Sequence, residues 1–439
     1  METILFTVAV FAALIFVLFL GTPIGLGLGF LGVAGILIYL NPNLLVTVAS
    51  NAYNQSLGVT TVMIPMFVIM AEFLSNSNIA GDLFDVISRR LKKLPANLAI
   101  SSIITSALFA AVCGSAPATA AAMGKISIPS MRKHGYRDSL AAGTQAAGGN
   151  LGIIIPPSIN FILYGMITET SIVSLFVAGV FPGIMLAVIM ISYVLIHKKI
   201  DPTLIVPPPE DSKTADKGGD RKQSLGWDMA IVIPVVLLVV VVFWMLYSGT
   251  ASAAETAAVG AIGSLIIVLA QRRMTKDVLT KTLLSSVSTT CMIMVLMFGG
   301  MAFSLFLTVM GLPQALSNVV ISAGLNRWFT FIIVNIIFLV LGCFMDPLSM
   351  MLIVLPFTFP FIKAMGFDPV WFGVIVTINC AIGMITPPVG MNLFVLKGVT
   401  KYPMSTIIRG VIPYVVIFAL SIVILCIFPS IATFLPSRM

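Results

Sequence analysis

Charge is what this sequence has least of. Asp, Glu, Lys and Arg together make up 9% of its 439 residues, where a soluble globular chain carries about a quarter. Such a chain cannot cover itself with a wetted surface, so a soluble fold is excluded. Histidine is scarce as well: His134 and His197 are the only two, and neither sits in an HExxH setting. The five cysteines, Cys113, Cys291, Cys343, Cys380 and Cys426, lie singly in apolar stretches, without the spacing of a zinc site or a disulfide framework. No Gly-x-x-x-x-Gly-Lys-Ser/Thr loop occurs, which excludes ATP drive within the chain. Clustered acids and paired His, Cys or Asp are missing too, and with them the acid/base or metal chemistry of an active site. The expectation is no enzyme and no cofactor.

What is there is apolar. Hydrophobic residues make up 59% of the chain, in recurring runs of about twenty, each long enough to cross a ~30 Å hydrocarbon core. About ten spanning candidates lie near 3–20, 22–40, 59–77, 138–165, 175–196, 228–247, 251–270, 283–310, 371–396 and 407–430. The start, Met1-Glu2-Thr3-Ile4-Leu5, lacks the basic region and cleavage site of a signal peptide, so the first run is expected to be a retained span. The net charge of +8 sits in short clusters between the runs: Arg89, Arg90, Lys92 and Lys93; Arg132, Lys133 and Arg137; Lys198, Lys199 and the segment 213–222; Arg272, Arg273 and Lys276. The positive-inside rule puts all four in the cytoplasm.

That topology strands an apolar stretch at about 97–130 between basic loops on one side. Its halves are divided by Cys113-Gly114-Ser115-Ala116-Pro117 and are too short to cross comfortably, so it reads as a re-entrant helical hairpin with its tip near the bilayer middle. Non-helical backbone survives there only inside protein or beside a watery cavity. The stretch at about 329–362, broken at Met345-Asp346-Pro347 and poor in flanking positive charge, reads as a second hairpin entering from the opposite side. Residues 201–227 are the only long polar segment, with Pro207-Pro208-Pro209 and mixed charges, and read as a cytoplasmic linker.

The chain also matches itself. At an offset of 231 residues, Gly29 and Gly32 meet Gly260 and Gly263, Pro129 meets Pro360, and Gly135 meets Gly366. Gly152, Pro156 and Pro157 meet Gly383, Pro387 and Pro388, while Gly179 and Pro182 meet Gly410 and Pro413. Apolar coincidences mean little in such a chain, but each Gly or Pro carries a backbone constraint. The two copies, 1–200 and 228–439, each hold about five spans and one hairpin. An odd number of spans turns the second copy upside down, and the charge bias flips accordingly: the cluster at Arg89 aligns with the uncharged 320–324, whereas the loop near Glu169 aligns with Lys397, Lys401 and Arg409. Inverted repeats are a signature of secondary transporters, with the site between the repeats near the midplane.

Four broken elements are expected at that midplane: the two hairpin tips, and two spans (about 138–165 and 371–396) interrupted by Pro156-Pro157 and Pro387-Pro388. Proline lacks an amide donor and clashes with the preceding turn, freeing carbonyls. Freed carbonyls and hydroxyls are the ligands an alkali ion needs, and half-helix N-termini offer positive ends to a carboxylate. Asp346 is the sharpest single residue. An acid within the membrane costs at least ~2.5 kcal/mol and is a functional candidate, although a cap on the half-helix starting there is an equal and compatible reading. Glu72 and Glu255 read as structural or interfacial, and Lys125 and Lys363 as snorkelling from the hairpin bases. The small-residue runs 118–122 and 141–149 read as close helix packing.

With these motifs together, the chain resembles the large membrane subunit of a tripartite ATP-independent periplasmic (TRAP) transporter over essentially its whole length. The resemblance rests on Gly114-Ser115-x-x-Ala118-Thr119, Gly149-x-Leu151-Gly152-Ile153-Ile154-Ile155-Pro156-Pro157-Ser158, the Met345-Asp346-Pro347 tip and Gly383-x-Ile385-Thr386-Pro387-Pro388-Val389-Gly390. It implies an all-α, multi-pass protein of the bacterial inner membrane with the elevator architecture of the ion-transporter superfamily. It further implies sodium-driven import of an organic acid, such as a C4-dicarboxylate or sialic acid. The partners it implies are a periplasmic binding protein and a small four-helix membrane subunit, here expected on a separate polypeptide. Carried over residue by residue, one sodium site takes Gly114, Ser115, Asn150 and Gly152, and the other takes Asp346, Gly383 and Thr386. Substrate then lies near Ser115, Thr119, Ser158, Asn160 and Asp346. The alternative is a stand-alone sodium-coupled anion symporter or ion antiporter of related architecture.

Overall fold

The computed structural model describes residues 2–206, 225–315, 318, 324 and 326–439. Among these residues the regular structure is helical, with one isolated antiparallel bridge between Tyr136 and Ile205. Ten helices precede the linker: α1 (Glu2–Phe19), α2 (Ile24–Tyr39), α3 (Leu44–Leu57), α4 (Val59–Asn76), α5 (Ile79–Arg90), α6 (Asn97–Cys113), α7 (Ala116–Lys133), α8 (Asp138–Ile154), α9 (Ile159–Thr168) and α10 (Ile172–Ile200). After it come α11 (Leu225–Ser248), α12 (Ala253–Ala270), α13 (Lys276–Val309), α14 (Arg327–Gly342), α15 (Pro347–Ala364), α16 (Pro369–Ile385), α17 (Met391–Thr400), α18 (Met404–Ile427) and the short α19 (Ser430–Thr433). Most of the linker, 207–224, lies outside the described residues, whereas its first six residues are pinned by the Tyr136 bridge and a short 3-10 turn at Pro202–Leu204.

Among the described residues, seven helices are long and apolar enough to cross a membrane, eight if α8 and α9 count as one span bent by 43°. The count falls short of ten because the apolar part of α1 (Ala9–Leu18), α2, and α16 with α17 are shorter, and it includes α15, read above as a hairpin arm. Length alone does not separate a span from the arm of a hairpin; the turn at the tip does. Two helices had no sequence expectation. Helix α3 buries none of its side chains, and α5 buries Ile79, Leu83, Phe84 and Val86 along one face.

Packing follows the 231-residue register. Helices α15 and α16 begin 231 residues after α7 and α8, and neighbours exchange between copies. Helix α2 packs on α13 as α12 packs on α4, α18 packs on α8 as α10 packs on α16, and α17 packs on α7 as α9 packs on α15. Exchange of this kind is what a two-fold relation between the copies produces. Small residues make the closest contacts: a Cβ on Gly32 would lie 2.7 Å from the Ala302 carbonyl oxygen, and one on Gly25 would lie 2.8 Å from the Leu296 backbone. Backbone approach through small residues is how helices associate in lipid.

Salt bridges tie the basic clusters to elements distant in sequence. Arg89 and Arg90 both reach Asp228, each at 2.6 Å, and join the end of α5 to the start of α11. Arg273 pairs with Asp82 and donates to the Ser77 carbonyl at 2.9 Å. Arg137 pairs with Asp201 at 3.2 Å and holds the exit of α10 against the start of α8.

Candidate functional site

Each break is set by local chemistry. Helix α6 ends at Gly114, whose φ is +61°, and a Cβ there would lie 2.6 Å from the Pro157 carbonyl oxygen. Glycine is required twice over, by the left-handed turn and by the close approach. Ser115 is extended and α7 restarts with Pro117 in its first turn, where a missing N–H is harmless. In the second hairpin, Asp346 is the extended cap before Pro347; its carboxylate accepts from the Ser349 amide at 3.0 Å and from the Ser349 hydroxyl. Helices α8 and α16 end at Pro-Pro pairs whose bonds are both cis, and the chain re-enters helix at Ile159 and Met391.

These four breaks enclose one cavity of about 410 Å³. The hairpin tips supply Ser115–Ala118 and Asp346–Leu348, and the interrupted spans supply Ile153, Ile159, Asn160, Met384 and Met391. The facing wall is unbroken helix: Val68, Ala71, Glu72 and Ser75 on α4, and Thr289, Met292, Ile293 and Leu296 on α13. The first residues of α7, α9, α15 and α17 all stand at its surface, as do the last residues of α6, α8 and α16 or their immediate neighbours. A helix N-terminus carries roughly half a positive charge and a C-terminus half a negative one. Among the described residues the lining has two carboxylates, Glu72 and Asp346, and no Lys or Arg. An anion here meets backbone dipoles, hydroxyls and the Asn160 amide, whose nitrogen is buried without a partner.

The expected site residues fall into four groups. Gly114, Ser115, Asn160 and Asp346 line the cavity. Thr119 and Ser158 stand behind it, fully buried; the Thr119 hydroxyl donates to the Ser115 carbonyl at 2.9 Å and the Ser158 hydroxyl to the Ile153 carbonyl at 2.6 Å. Gly152 passes against the first tip, where a Cβ would lie 2.7 Å from the Ser115 oxygen. Gly383 passes equally close to Gly342, and Thr386 donates to the Ile382 carbonyl at 2.6 Å. Near them, the amides of Val389 and Gly390 turn toward the Cys343 carbonyl, at 3.1 and 3.4 Å. Asn150 lies apart, its amide bonded to Ala381 and Asn392 between the two copies.

Glu72, Ser75 and Thr289 were not expected at the site. Glu72 is half-buried at the cavity wall and accepts from Asn76 at 3.0 Å, so the structural pairing expected of it stands beside a place in the cavity lining that its position in an apolar run did not reveal. Glu255 does hold a structural place, as the partner of Ser252 in the capping box of α12.

Paired hairpins and broken helices around a central cavity define the class, a multi-pass membrane transporter. Solved structures with this fold include the YdaH transporter of Alcanivorax borkumensis (TM-score 0.56, 14% identity, 87% of this chain and 88% of that one). MtrF of Neisseria gonorrhoeae is similar at a TM-score of 0.57 and 13% identity, covering 89% and 85%; at such identities the likeness concerns fold alone. The family is narrower. The model for the tripartite ATP-independent periplasmic transporter, DctM component, matches residues 11–431. The C4-dicarboxylate TRAP transporter large permease protein DctM of Pseudomonas aeruginosa is 35% identical over 93% of both chains. The sialic acid large permease SiaM of Vibrio cholerae is 30% identical, covering 95% and 96%, and the ectoine/5-hydroxyectoine permease UehC of Ruegeria pomeroyi is 32% identical over 85% of each. This chain belongs to the DctM family of TRAP transporter large permeases. It is a multi-pass protein of the bacterial inner membrane and a secondary transport permease rather than an enzyme.

Proposed function

We propose that the chain imports an organic acid down the sodium gradient by elevator-type alternating access. A periplasmic binding protein delivers the substrate, and a separate small four-helix membrane subunit completes the transporter. The observation that carries the reading is the meeting of four helix N-termini on one cavity that no Lys or Arg lines among the described residues. A carboxylate is held there by dipoles of roughly half a charge each, while the freed carbonyls at the helix ends offer oxygen ligands to sodium.

Substrate is assigned to Ser115, Asn160 and Asp346, with Thr119 and Ser158 fixing the backbone behind them. One sodium is assigned to Gly114, Ser115 and Gly152 with Asn150, and the other to Asp346, Gly383 and Thr386. Helices α4 and α13, unbroken and locked to α12 and α2, act as the fixed wall against which the hairpins move. Relatives named for C4-dicarboxylates, sialic acid and ectoine make a small carboxylate the substrate class to try first.

The test is uptake of labelled organic acids into proteoliposomes holding this chain, its small subunit and its binding protein. Uptake that needs an inward sodium gradient and the binding protein supports the reading. Sodium-driven uptake by this chain alone makes it a stand-alone symporter, and sodium-independent uptake overturns the coupling.

A further inference from the structure

The wall that faces the hairpins carries a lane of oxygen atoms that the assigned hairpin sites do not use. The Asn76 amide donates to Glu72 Oε2 at 3.0 Å and to the Thr282 hydroxyl at 3.2 Å, which ties α4 to α13. The Thr282 hydroxyl itself turns to the Glu72 carbonyl at 3.4 Å. Thr282, Ser286 and Thr289 are spaced by four and three residues, so they share one face of α13. Thr282 sets that face against α4, and Thr289 brings it to the cavity beside Glu72 and Ser75. From the Asn76–Thr282 bond toward the cavity, α4 steps back one turn to Glu72 and α13 steps forward one turn to Ser286. Ser286 is 3% exposed, and its hydroxyl has no partner among the described residues.

The repeat does not require this acid. At the 231-residue register Glu72 becomes Phe303, Ser75 becomes Phe306 and Asn76 becomes Leu307, all three buried. The same positions therefore pack as hydrocarbon in the other copy. Charge gives the second argument. Glu72 lines the cavity that receives an organic anion in the function proposed above, a reading on which this inference rests. Two carboxylates sharing a cavity inside a membrane repel more strongly than in water. The Asn76 amide and the α13 hydroxyls can orient the Glu72 carboxylate, but they cannot neutralise it.

We infer that Glu72, Ser286 and Thr289 bind a sodium ion on this wall, apart from the hairpin tips. The donors are all oxygens, of the kind that coordinate sodium in transporters. A single carboxylate balances one positive charge, whereas calcium gathers about six to eight oxygen ligands. The ion gives the Ser286 hydroxyl the partner it lacks. It also turns a repelling wall into a neutral one, so ion and substrate each favour the binding of the other.

The test is binding of radioactive sodium to the purified full chain in detergent, without substrate. Glu72→Gln keeps an acceptor for Asn76 and should bind one sodium fewer per chain at saturation. Ser286→Ala should weaken the affinity for that ion, and Asp346→Asn should keep it. Unchanged sodium binding by Glu72→Gln overturns the site and leaves the carboxylate to a proton. If Glu72→Gln does not fold, Ser286→Ala decides alone, and sodium affinities equal to those of the parent chain overturn the inference. Failure here is distinct from failure of the function proposed above. Sodium-independent uptake overturns that reading and leaves Glu72-dependent binding standing, whereas sodium lost only in Asp346→Asn preserves that reading and overturns the wall site.

Discussion

Asn392 donates its side-chain amide to Oδ1 of Asn150 at 2.7 Å, and Asn150 in turn donates to the Ala381 carbonyl at 2.6 Å. Asn150 and Ala381 are separated by 231 residues, so this bond joins one position to its own counterpart. Both asparagines are fully buried. Asn150→Ala removes both bonds and leaves the Asn392 amide only its 3.4 Å contact with the Ala146 carbonyl, at about 0.5–1.5 kcal/mol for each bond lost. Asn392→Ala strands only Asn150 Oδ1 and removes the Asn392 Oδ1 that already lacks a partner. Thermal unfolding in detergent should rank Asn150→Ala as the more destabilised; the reverse order would show that the bond between the copies is not what the two residues contribute.

Asp346 is both a helix cap and one of two acids at the cavity, and two substitutions separate these roles. Asparagine accepts the Ser349 amide as well as aspartate does, so Asp346→Asn should leave the melting temperature nearly unchanged. Asp346→Ala removes the cap and should lower stability by about 1 kcal/mol. If the charge serves ion binding, sodium-dependent uptake should fall at least about tenfold, the equivalent of ~1.4 kcal/mol, in both variants. Full uptake by Asp346→Asn would leave the residue as a cap alone.

The broken elements were legible because proline and glycine act through the backbone, and the backbone is what repeats. Gly152, Pro156, Pro157 and their counterparts declared both the interrupted spans and the copies. The facing wall was less legible. Val68, Ala71 and Met292 differ in nothing from lipid-facing residues, since inside a membrane apolarity marks every surface alike. Glu72 was visible as an acid in an apolar run, but which neighbour it faces depends on the packing of α4 against α13. Asn150 carried its type and not its partners, which lie more than 200 residues away.

Gly143 and Gly398 make a matched pair. A Cβ on Gly143 would overlap the Gly410 carbonyl, because α8 and α18 touch backbone to backbone there, beside a 2.7 Å bond between the Thr144 and Tyr414 hydroxyls. A Cβ on Gly398 meets nothing within 4 Å. Gly143→Ala should therefore force the two helices apart and lower stability by at least about 1–3 kcal/mol, as overpacking does. Gly398→Ala, in the interior of α17, should be neutral or stabilising by up to about 1 kcal/mol. Melting curves of the two variants decide this, and equal destabilisation would contradict the close approach of α8 and α18.

Asp201 is the one acid of the clasp at the exit of α10. The Thr203 hydroxyl and amide, and then Arg137, hold its carboxyl below the usual carboxylate range. A depressed carboxyl stabilises the fold above its unfolded value, near 3.8, and that contribution is lost as pH falls through the lower folded value. The clasp should thus be indifferent to pH from about 5 to 8 and loosen only below about 4. The Val206 amide, bonded to the Gly135 carbonyl at 2.9 Å, reports on it. Hydrogen exchange at Val206, corrected for intrinsic rate, should stay slow through neutral pH and quicken in acid. Asp201→Asn should make exchange fast and independent of pH. Loosening that begins near pH 6 instead would overturn the assignment of the clasp to Asp201.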